Sequence, residues 1–238
     1  MEKISILRVP FAVFTQENAV EYLLSQLSAR NNRIVVTPNP EGVMLARRNK
    51  HFREALITAD VSLCDGTGVL IASRLLGTPL PERVRGFDTF VGLLNSGKPL
   101  SIFLLGGKPG VAEKARTKIE TQYTNITIAG THHGFFTEEE EVVDKINAAS
   151  PDILVLCTGM PRAEIWAVKN KNLKTGLTMC LGGTIDVLAG EVKLAPAFIR
   201  KIGMEWLYRL LRQPARFKRM LDLPRFVAAV LWERIIKK

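Results

Sequence analysis

Apolar and polar positions follow two recurring patterns over residues 1–194. Short, nearly continuous apolar runs rich in β-branched residues predict buried strands: Ile4–Val9, Arg33–Thr37, Val61–Cys64, Leu100–Leu105, Ile126–Gly130, Ile153–Cys157 and Leu177–Leu181. Segments with helical spacing separate or follow them: Glu17–Ala29, Glu41–Ala59, Thr67–Leu76, Phe87–Leu94, Gly110–Gln122, Glu138–Ala149, Arg162–Lys171 and Thr184–Leu188. Such alternation predicts an α/β domain over residues 1–194, with a Rossmann-like, mostly parallel sheet of six or seven strands and helices on both faces.

The pattern changes at about Ala195, after which only helical spacing remains. Four apolar residues fall on one helical stripe with basic residues mostly to its sides: Ile199, Ile202, Trp206 and Leu210. Pro214 and Pro224 divide this segment into about three short helices. We therefore predict that residues 195–238 form a C-terminal helical appendage.

Charge is concentrated in the same segment. Residues 193–238 contain twelve Lys/Arg and three acidic residues, so they carry +9 of the net charge of +10. A basic, aromatic-rich helical segment on a nearly neutral body is typical of a protein that works at an anionic surface, either a membrane or a nucleic acid. The charge alone does not decide between the two.

Bulk composition excludes several other classes of protein. The 47% hydrophobic content is that of a globular protein, and no apolar run approaches the roughly 18–20 residues that a membrane-spanning helix requires. The N-terminus has no signal-peptide pattern. Cys64, Cys157 and Cys180 are odd in number and lie in apolar surroundings, which indicates buried thiols in a reducing cytoplasm.

Candidate chemistry follows the second and third predicted strands. Asp65 comes directly after Val61–Cys64, and Gly66 and Gly68 follow it, so that a substrate could approach this carboxylate closely. A carboxylate at a strand end is a natural general base, although Asp65 could also be a helix cap. Thr37 and Asn39 occupy the corresponding place on the neighbouring strand. Asn39 could belong to the site, or it could simply cap the helix that follows.

Later connections repeat this placement. Arg83, Arg85 and Asp88 could clamp a diphosphate, or the arginines could be solvated and Asp88 a plain cap. The turn after Leu100–Leu105 is rich in glycine and suits close approach of a phosphate, but it lacks the spacing of a P-loop. It contains Gly106, Gly107, Pro109 and Gly110. Two further strand ends supply Gly159, Arg162, Glu164, Gly183, Thr184 and Asp186. Because the carboxyl ends of parallel strands share one edge, these residues predict a single site.

Two other functions compete at this stage. A nicotinamide-dependent oxidoreductase on a Rossmann sheet would carry GxGxxG after the first strand, where this chain has Val9-Pro10-Phe11. A nucleic-acid-binding protein would explain the basic C-terminal arm but would leave the strand-end residues without a role.

The ordered motifs resemble those of the WecG/TagA/CpsF glycosyltransferase family over nearly the whole chain. The matching segments are Thr37-Pro38-Asn39-Pro40-Glu41, Asp65-Gly66-x-Gly68, Arg83-x-x-Gly86-x-Asp88, Leu105-Gly106-Gly107-x-Pro109-Gly110, Gly159-x-Pro161-Arg162-x-Glu164, Gly182-Gly183-Thr184-x-Asp186, Ala195-Pro196 and Glu205-Trp206-Leu207-Tyr208-Arg209. One position departs from the family pattern, because Ala163 stands where the family usually has Gln.

The resemblance implies transfer of N-acetylmannosamine from UDP-N-acetylmannosamine to C4 of N-acetylglucosamine on undecaprenyl diphosphate, with a β linkage, in wall teichoic acid linkage-unit synthesis. We expect Asp65 to be the base of an inverting displacement, with Thr37 and Asn39 orienting a substrate and Arg83 stabilising the diphosphate. The chain has no Asp-x-Asp pair, so we predict a metal-independent enzyme without a cofactor.

A lipid-diphosphate acceptor makes the membrane the expected partner of the basic appendage. We therefore predict a cytoplasmic protein, peripheral on the inner face of the cell membrane, with no nucleic acid as partner. The appendage could also supply Arg209, Arg212 or Arg216 to the cleft. Its apolar faces could equally serve homo-oligomer formation.

Overall fold

In a computed structural model, the chain is described over residues 1–212 and 217–236, apart from the side chains of Lys201, Arg209, Lys218 and Arg219. The strands are β1 (Lys3–Ile6), β2 (Val9–Ala12), β3 (Arg33–Val36), β4 (Val61–Ser62), β5 (Leu100–Gly106), β6 (Ile126–His132), β7 (Ile153–Cys157) and β8 (Leu177–Cys180). The helices of the body are α1 (Gln16–Gln26), followed by a 3-10 turn at Leu27–Ala29, α2 (Pro40–Arg48), α3 (Lys50–Thr58), α4 (Thr67–Leu75), α5 (Gly86–Leu94), α6 (Val111–Gln122), α7 (Glu139–Ala149), α8 (Arg162–Lys169) and α9 (Thr184–Ala189). The C-terminal helices are α10 (Ala197–Lys201), α11 (Glu205–Arg212), α12 (Phe217–Met220) and α13 (Asp222–Ile236).

Six parallel strands form the central sheet in the order β4-β3-β8-β7-β5-β6. One apolar core joins one face of the sheet to α2, α3, α4, α7, α8 and α13. A second core joins the other face to α1, α5, α6 and α9. The predicted Rossmann-like α/β architecture with helices on both faces is therefore confirmed.

The first predicted strand is wrong in its extent and in its partner. The segment forms an antiparallel hairpin of β1 and β2, which pairs outside the central sheet. Leu7 and Arg8 make the turn with φ angles of 49° and 67°. Two-residue hairpin turns of this kind favour Asn-Gly or Asp-Gly, so Leu-Arg gave no turn signal in the sequence.

The long helix predicted over Glu41–Ala59 is two helices, because Asn49 interrupts it. The Asn49 N–H donates to the Leu45 carbonyl at 2.8 Å and closes α2. The Asn49 side chain accepts from the Phe52 N–H at 3.0 Å and caps α3. Apolar spacing continues across the junction and conceals it in the sequence.

The appendage is helical, as predicted, but it ends in a fifteen-residue helix, α13, rather than a short one. Pro224 lies in the first turn of α13, where proline is tolerated, so it does not break the helix. Pro214 lies outside the described residues. Phe226 and Val230 of α13 are buried against the body. None of the helices within the described ranges is long and apolar enough to cross a membrane.

Candidate active site

A cleft of about 850 Å³ opens at the carboxyl ends of the parallel strands. Each strand of the central sheet is followed by residues that line it: Thr37 and Asn39 after β3, Asp65 after β4, Gly107 and Lys108 after β5, Gly134 after β6, Thr158 and Gly159 after β7, and Gly182 and Gly183 after β8. The structure therefore brings much of the predicted strand-end set into one cavity.

Local hydrogen bonds hold the polar residues of the β3 and β4 ends. The N–H of Gly86, the first residue of α5, donates to Asp65 Oδ2 at 3.2 Å. The Thr37 hydroxyl donates to the Cys180 carbonyl at 3.1 Å. Asn39 caps α2, because its Oδ1 accepts from the Gly42 N–H at 2.9 Å. These bonds orient a carboxylate, a hydroxyl and an amide toward the same space.

Gly66 and Gly68 act behind this surface rather than on it. A Cβ at Gly66 or Gly68 would lie 2.8 Å or 2.7 Å from the ring of Pro40. The absence of side chains therefore lets the start of α4 pack directly on the start of α2. This packing sets the distance between Asp65 and Asn39.

Arg83 lies outside the lining of the cleft. Its guanidinium donates to the Thr67 hydroxyl at 3.1 Å and to the Arg200 carbonyl at 2.7 Å. It also forms an ion pair with Glu205 at 3.4 Å. These contacts tie the appendage to α4, and Arg83 would reach a diphosphate only if some of them exchanged.

Arg85 and Asp88 belong to the same ion network. Arg85 pairs with Asp88 at 2.5 Å, and Arg200 of the appendage pairs with Asp88 at 3.5 Å. Neither Arg85 nor Asp88 lines the cleft. In this arrangement the residues predicted to bind a diphosphate hold α10 and α11 against the body. They are Arg83, Arg85 and Asp88.

The turn after β5 brings backbone rather than side chains to the site. A Cβ at Gly106, where φ is +153°, would lie 2.6 Å from the Cys157 carbonyl oxygen. Only glycine therefore allows β5 and β7 to approach so closely at their ends. Gly107 lines the cleft, whereas Pro109 and Gly110 lead into α6 behind it.

Arg162 anchors one wall of the cleft. Its guanidinium donates to the carbonyls of Gly134 and Phe136, both at 3.0 Å, and lies 4.6 Å from the centre of the Phe136 ring. These contacts hold the connection between β6 and α7. The same connection carries Phe135, which lines the cleft with 68% of its surface exposed. Ala163, next to Arg162, is buried in the core of this face.

Glu164 and Asp186 are cleft carboxyls with perturbed pKa values. Burial raises the pKa of Glu164 to about 7, because only 8% of the residue is exposed, and its own backbone N–H opposes this effect. Burial also raises the pKa of Asp186. Thr184 donates its hydroxyl to the Leu181 carbonyl at 2.8 Å, which holds the turn before Asp186. Gly183 and Thr184 both line the cleft.

The appendage contributes to the cleft through α11. Tyr208 and Arg212 line its mouth, and the Arg212 guanidinium lies 5.7 Å from the centre of the Tyr208 ring. The side chain of Arg209 and all of Arg216 lie outside the described residues. Arg212 is therefore the candidate appendage arginine that lines the cleft in the described part of the chain.

Several lining residues were missed by the sequence prediction. Lys108, Phe135, Tyr208 and the segment 192–195 all border the cavity. Lys108 stands inside the glycine-rich turn and could have been found by its place in that motif. Tyr208 stands in the matching segment Glu205–Arg209, but its place at the cleft depends on how α11 packs. Over residues 1–212 and 217–236 no cluster of three His, Cys, Asp or Glu side chains is placed to hold a metal ion.

Comparison with known families identifies the class of protein as a glycosyltransferase. The profile of the Glycosyl transferase WecG/TagA/CpsF family matches residues 4–238, and the chain belongs to this family. This membership confirms the resemblance seen in the motifs. Neither the oxidoreductase nor the nucleic-acid-binding alternative receives support.

Named relatives are similar along most of their length. The chain is 37% identical over 208 residues to the N-acetylglucosaminyldiphosphoundecaprenol N-acetyl-beta-D-mannosaminyltransferase of Bacillus spizizenii, covering 86% of this chain and 81% of that protein. It is 32% identical to the Bacillus subtilis protein of the same name, covering 100% and 94%. It is 34% identical to the one from Staphylococcus aureus strain MW2, covering 99% and 95%.

Proposed function

We propose that this protein is an inverting glycosyltransferase that moves N-acetylmannosamine from UDP-N-acetylmannosamine to C4 of N-acetylglucosamine on undecaprenyl diphosphate, within wall teichoic acid linkage-unit synthesis. The names of the relatives support the acceptor and the transferred sugar. The observation that supports the proposal most directly is the cleft at the strand ends, whose lining includes Asp65, Thr37 and Asn39.

Asp65 is the proposed general base. Forming a β linkage from an α-linked donor inverts the anomeric carbon, which a single displacement achieves. The Asp65 carboxylate takes the proton of the acceptor 4-hydroxyl as that oxygen bonds to the anomeric carbon and the bond to the UDP oxygen breaks. Thr37 and Asn39, held by their own hydrogen bonds, orient the reacting sugars.

The departing UDP gains negative charge that cationic groups and backbone N–H groups would stabilise. Lys108 and Arg212 line the cleft, and Gly107 lies in the turn before α6. Arg83 could join them after releasing Glu205, its partner at 3.4 Å. We propose that these groups serve in place of a metal ion.

The appendage is proposed to dock on the cytoplasmic face of the membrane, where the acceptor lies. Its buried side chains pack on the body, but a second set of large apolar side chains is exposed: Phe198, Ile202, Trp206, Leu211, Phe217, Trp232, Ile235 and Ile236. Basic residues interleave with them along residues 193–238. Aromatic anchors beside Lys and Arg favour an anionic lipid surface, with about 1 kcal/mol from each basic residue near the surface.

The test is a transfer assay with UDP-N-acetylmannosamine and a short-chain lipid diphosphate that carries N-acetylglucosamine. We expect a disaccharide product with a β1,4 linkage, formed equally well with and without EDTA. A parallel reaction with UDP-N-acetylglucosamine as donor tests the choice of sugar. Absence of product with the N-acetylmannosamine donor would refute the function, and a metal-reversible loss in EDTA would refute metal independence alone.

A further inference from the structure

Two buried polar atoms that line the cleft have no hydrogen-bond partner in the described part of the chain. Of the side-chain nitrogen and oxygen atoms in the described part of the chain that are buried and unpartnered, the two that line the cleft are Thr158 Oγ1 and Glu164 Oε2. Thr158 follows the end of β7, and Glu164 lies in the first turn of α8. Buried polar groups are nearly always paired, so these two atoms are candidates to hydrogen-bond a polar group of a substrate.

The surroundings of Glu164 favour its neutral form. A buried carboxylate with an unpartnered oxygen is costly, and burial is the largest cause of its raised pKa. Arg162, on the same helix, is not available to neutralise it, because its guanidinium bonds to the carbonyls of Gly134 and Phe136. A protonated carboxyl presents an O–H donor and an acceptor, and the Thr158 hydroxyl can act as either.

Neighbouring elements do not supply a counter-charge. Helix α8 packs against α3, β3, β7 and β8. The titratable or charged side chains on these elements are Lys50, His51, Arg53 and Glu54 on α3, Arg33 on β3, Cys157 on β7 and Cys180 on β8. Arg33 is paired with Asp60 at 2.9 Å. The α3 side chains are at least partly solvated, and the two thiols are buried. Burial raises the pKa of Cys180 most, and the charge of Glu164 raises it further.

We propose that Thr158 and Glu164 form a polar subsite that hydrogen-bonds an uncharged group of the sugar nucleotide, a hydroxyl or an amide, and not its diphosphate. This inference rests on the proposed UDP-sugar donor. The cationic and backbone donors of the cleft are left for the diphosphate. The uncharged group can belong to the transferred sugar or to the nucleoside, which present the same chemistry.

The test measures binding of UDP-N-acetylmannosamine and of UDP from pH 6 to 8.5 by calorimetry. Wild type is compared with Glu164→Gln, Glu164→Leu and Thr158→Val, and with Glu140→Gln as a matched control on the exposed side of α7. UDP-N-acetylmannosamine is the primary ligand for the pH series. Its diphosphate is esterified at both ends and does not titrate in this range, unlike a terminal phosphate with its second pKa of about 6.

At pH 6 we expect Glu164→Leu to weaken binding of the sugar nucleotide by about tenfold or more and Thr158→Val by about threefold to tenfold. Glu164→Gln, which keeps a donor and an acceptor, should lose less than Glu164→Leu. Wild-type affinity should fall as the pH rises through 7, because ionisation removes the donor, whereas Glu164→Gln should show no such fall. Glu140→Gln should follow wild type at every pH.

The two ligands separate the sources of the hydrogen-bonding group. If the variants lose affinity only for UDP-N-acetylmannosamine, the hydrogen-bonded group belongs to the sugar. If they lose affinity equally for UDP, the group belongs to the nucleoside. Folding of each variant is checked by its melting temperature. Wild-type affinity that rises with pH, or Glu164→Leu and Thr158→Val variants that are folded and bind normally, would overturn the subsite alone. A wild type that binds neither ligand would overturn the proposed donor and the subsite with it.

Discussion

Asp65 is the residue on which the proposed chemistry depends most directly. Backbone contacts help to position it, since its carboxylate accepts from the N–H of Gly86 and its neighbouring glycine packs on Pro40. Asparagine has nearly the same shape and can still accept that hydrogen bond, but it cannot take a proton. The two roles of the side chain, orientation and proton transfer, can therefore be separated.

We predict that Asp65→Asn lowers kcat by about 10²- to 10⁴-fold, the usual contribution of a positioned general base, while UDP-sugar binding changes little. Steady-state transfer kinetics and calorimetry measure the two effects. Asp144→Asn, on the exposed side of α7, serves as the matched control and should leave kcat unchanged. Near-normal transfer by a folded Asp65→Asn protein would show that another group removes the proton.

Glu164 affects folding as well as binding, because burial holds its pKa in the folded protein above the ordinary carboxyl value of 4.5, at about 7. A raised pKa means that the protonated form contributes stability. That contribution is complete below the ordinary pKa and is lost as the pH rises through about 7.

Glu164→Gln cannot ionise, so only wild type should lose this stability between pH 5 and pH 8. The free energy of unfolding of Glu164→Gln minus that of wild type should therefore increase by up to about 3 kcal/mol over this range. Urea denaturation at the two pH values measures this change. Glu140 is exposed, so the free energy of unfolding of Glu140→Gln should differ from that of wild type by the same amount at both pH values. A Glu164→Gln difference that is also independent of pH would mean that Glu164 is already ionised at pH 5 or solvated in the fold.

At the scale of elements, the strands and most helices of the central sheet follow from apolar runs and helical spacing. The misses have local physical causes. Leu7 and Arg8 turn a hairpin without the residues that usually mark one, and Asn49 caps one helix while ending another. Neither feature changes the period of apolar positions, which is the signal that the prediction used.

The strand ends show how far the site could be predicted. Asp65, Thr37 and Asn39 lie in the cleft because parallel strands deliver their carboxyl ends to one edge, which the sequence indicates. Arg83 lies outside the lining because tertiary packing pairs it with Glu205 of α11. The contact depends on the docking of the appendage, about which helical spacing carries no information.

Helix α13 is held to α2 by a paired interaction at its start. Arg48 donates to Asp222 through both terminal nitrogens, at 2.9 Å and 2.6 Å. The hydrogen bond from Arg48 holds the pKa of Asp222 below its ordinary value. The stability from this pair is therefore present above that ordinary value and is lost as the pH falls through the lowered one.

We predict that Asp222→Asn lowers the free energy of unfolding by about 1–2 kcal/mol at pH 7 and increases hydrogen exchange in α13. Denaturation and exchange mass spectrometry measure the two effects. Arg225→Gln is the control, because Arg225 is largely exposed and lies 3.3 Å from the same carboxylate, so its loss should matter less. Unchanged protection of α13 in Asp222→Asn would mean that apolar packing alone docks the helix.

On the scale of the whole molecule, the appendage has two opposed surfaces. Its inner side packs on the body through Phe226 and Val230 and reaches the cleft through Tyr208 and Arg212. Its outer side exposes large apolar residues among basic ones. We propose that the membrane contacts this exposed set, so that a lipid diphosphate meets Tyr208 and Arg212 as it enters the cleft.

Removal of the whole appendage is a poor test of this arrangement, because it would also expose the core that Phe226 and Val230 cover. Paired substitutions on the outer side avoid this problem. Trp232 and Ile236 of α13 are 65% and 66% exposed, and Ile57 and Ile71 of the body are 52% and 51% exposed. The second pair is therefore a matched control for loss of surface apolar area.

We predict that Trp232→Ser with Ile236→Ser reduces sedimentation with anionic phospholipid vesicles by about tenfold or more, because buried apolar area and basic charge act together at such surfaces. Ile57→Ser with Ile71→Ser should bind vesicles like wild type. Transfer to a water-soluble short-chain acceptor should be the same in both double variants, whereas transfer to a vesicle-embedded acceptor should fall only in the first. Equal vesicle binding by the two would show that this face of α13 does not dock on lipid, and its exposed side chains would then be a candidate surface for self-association.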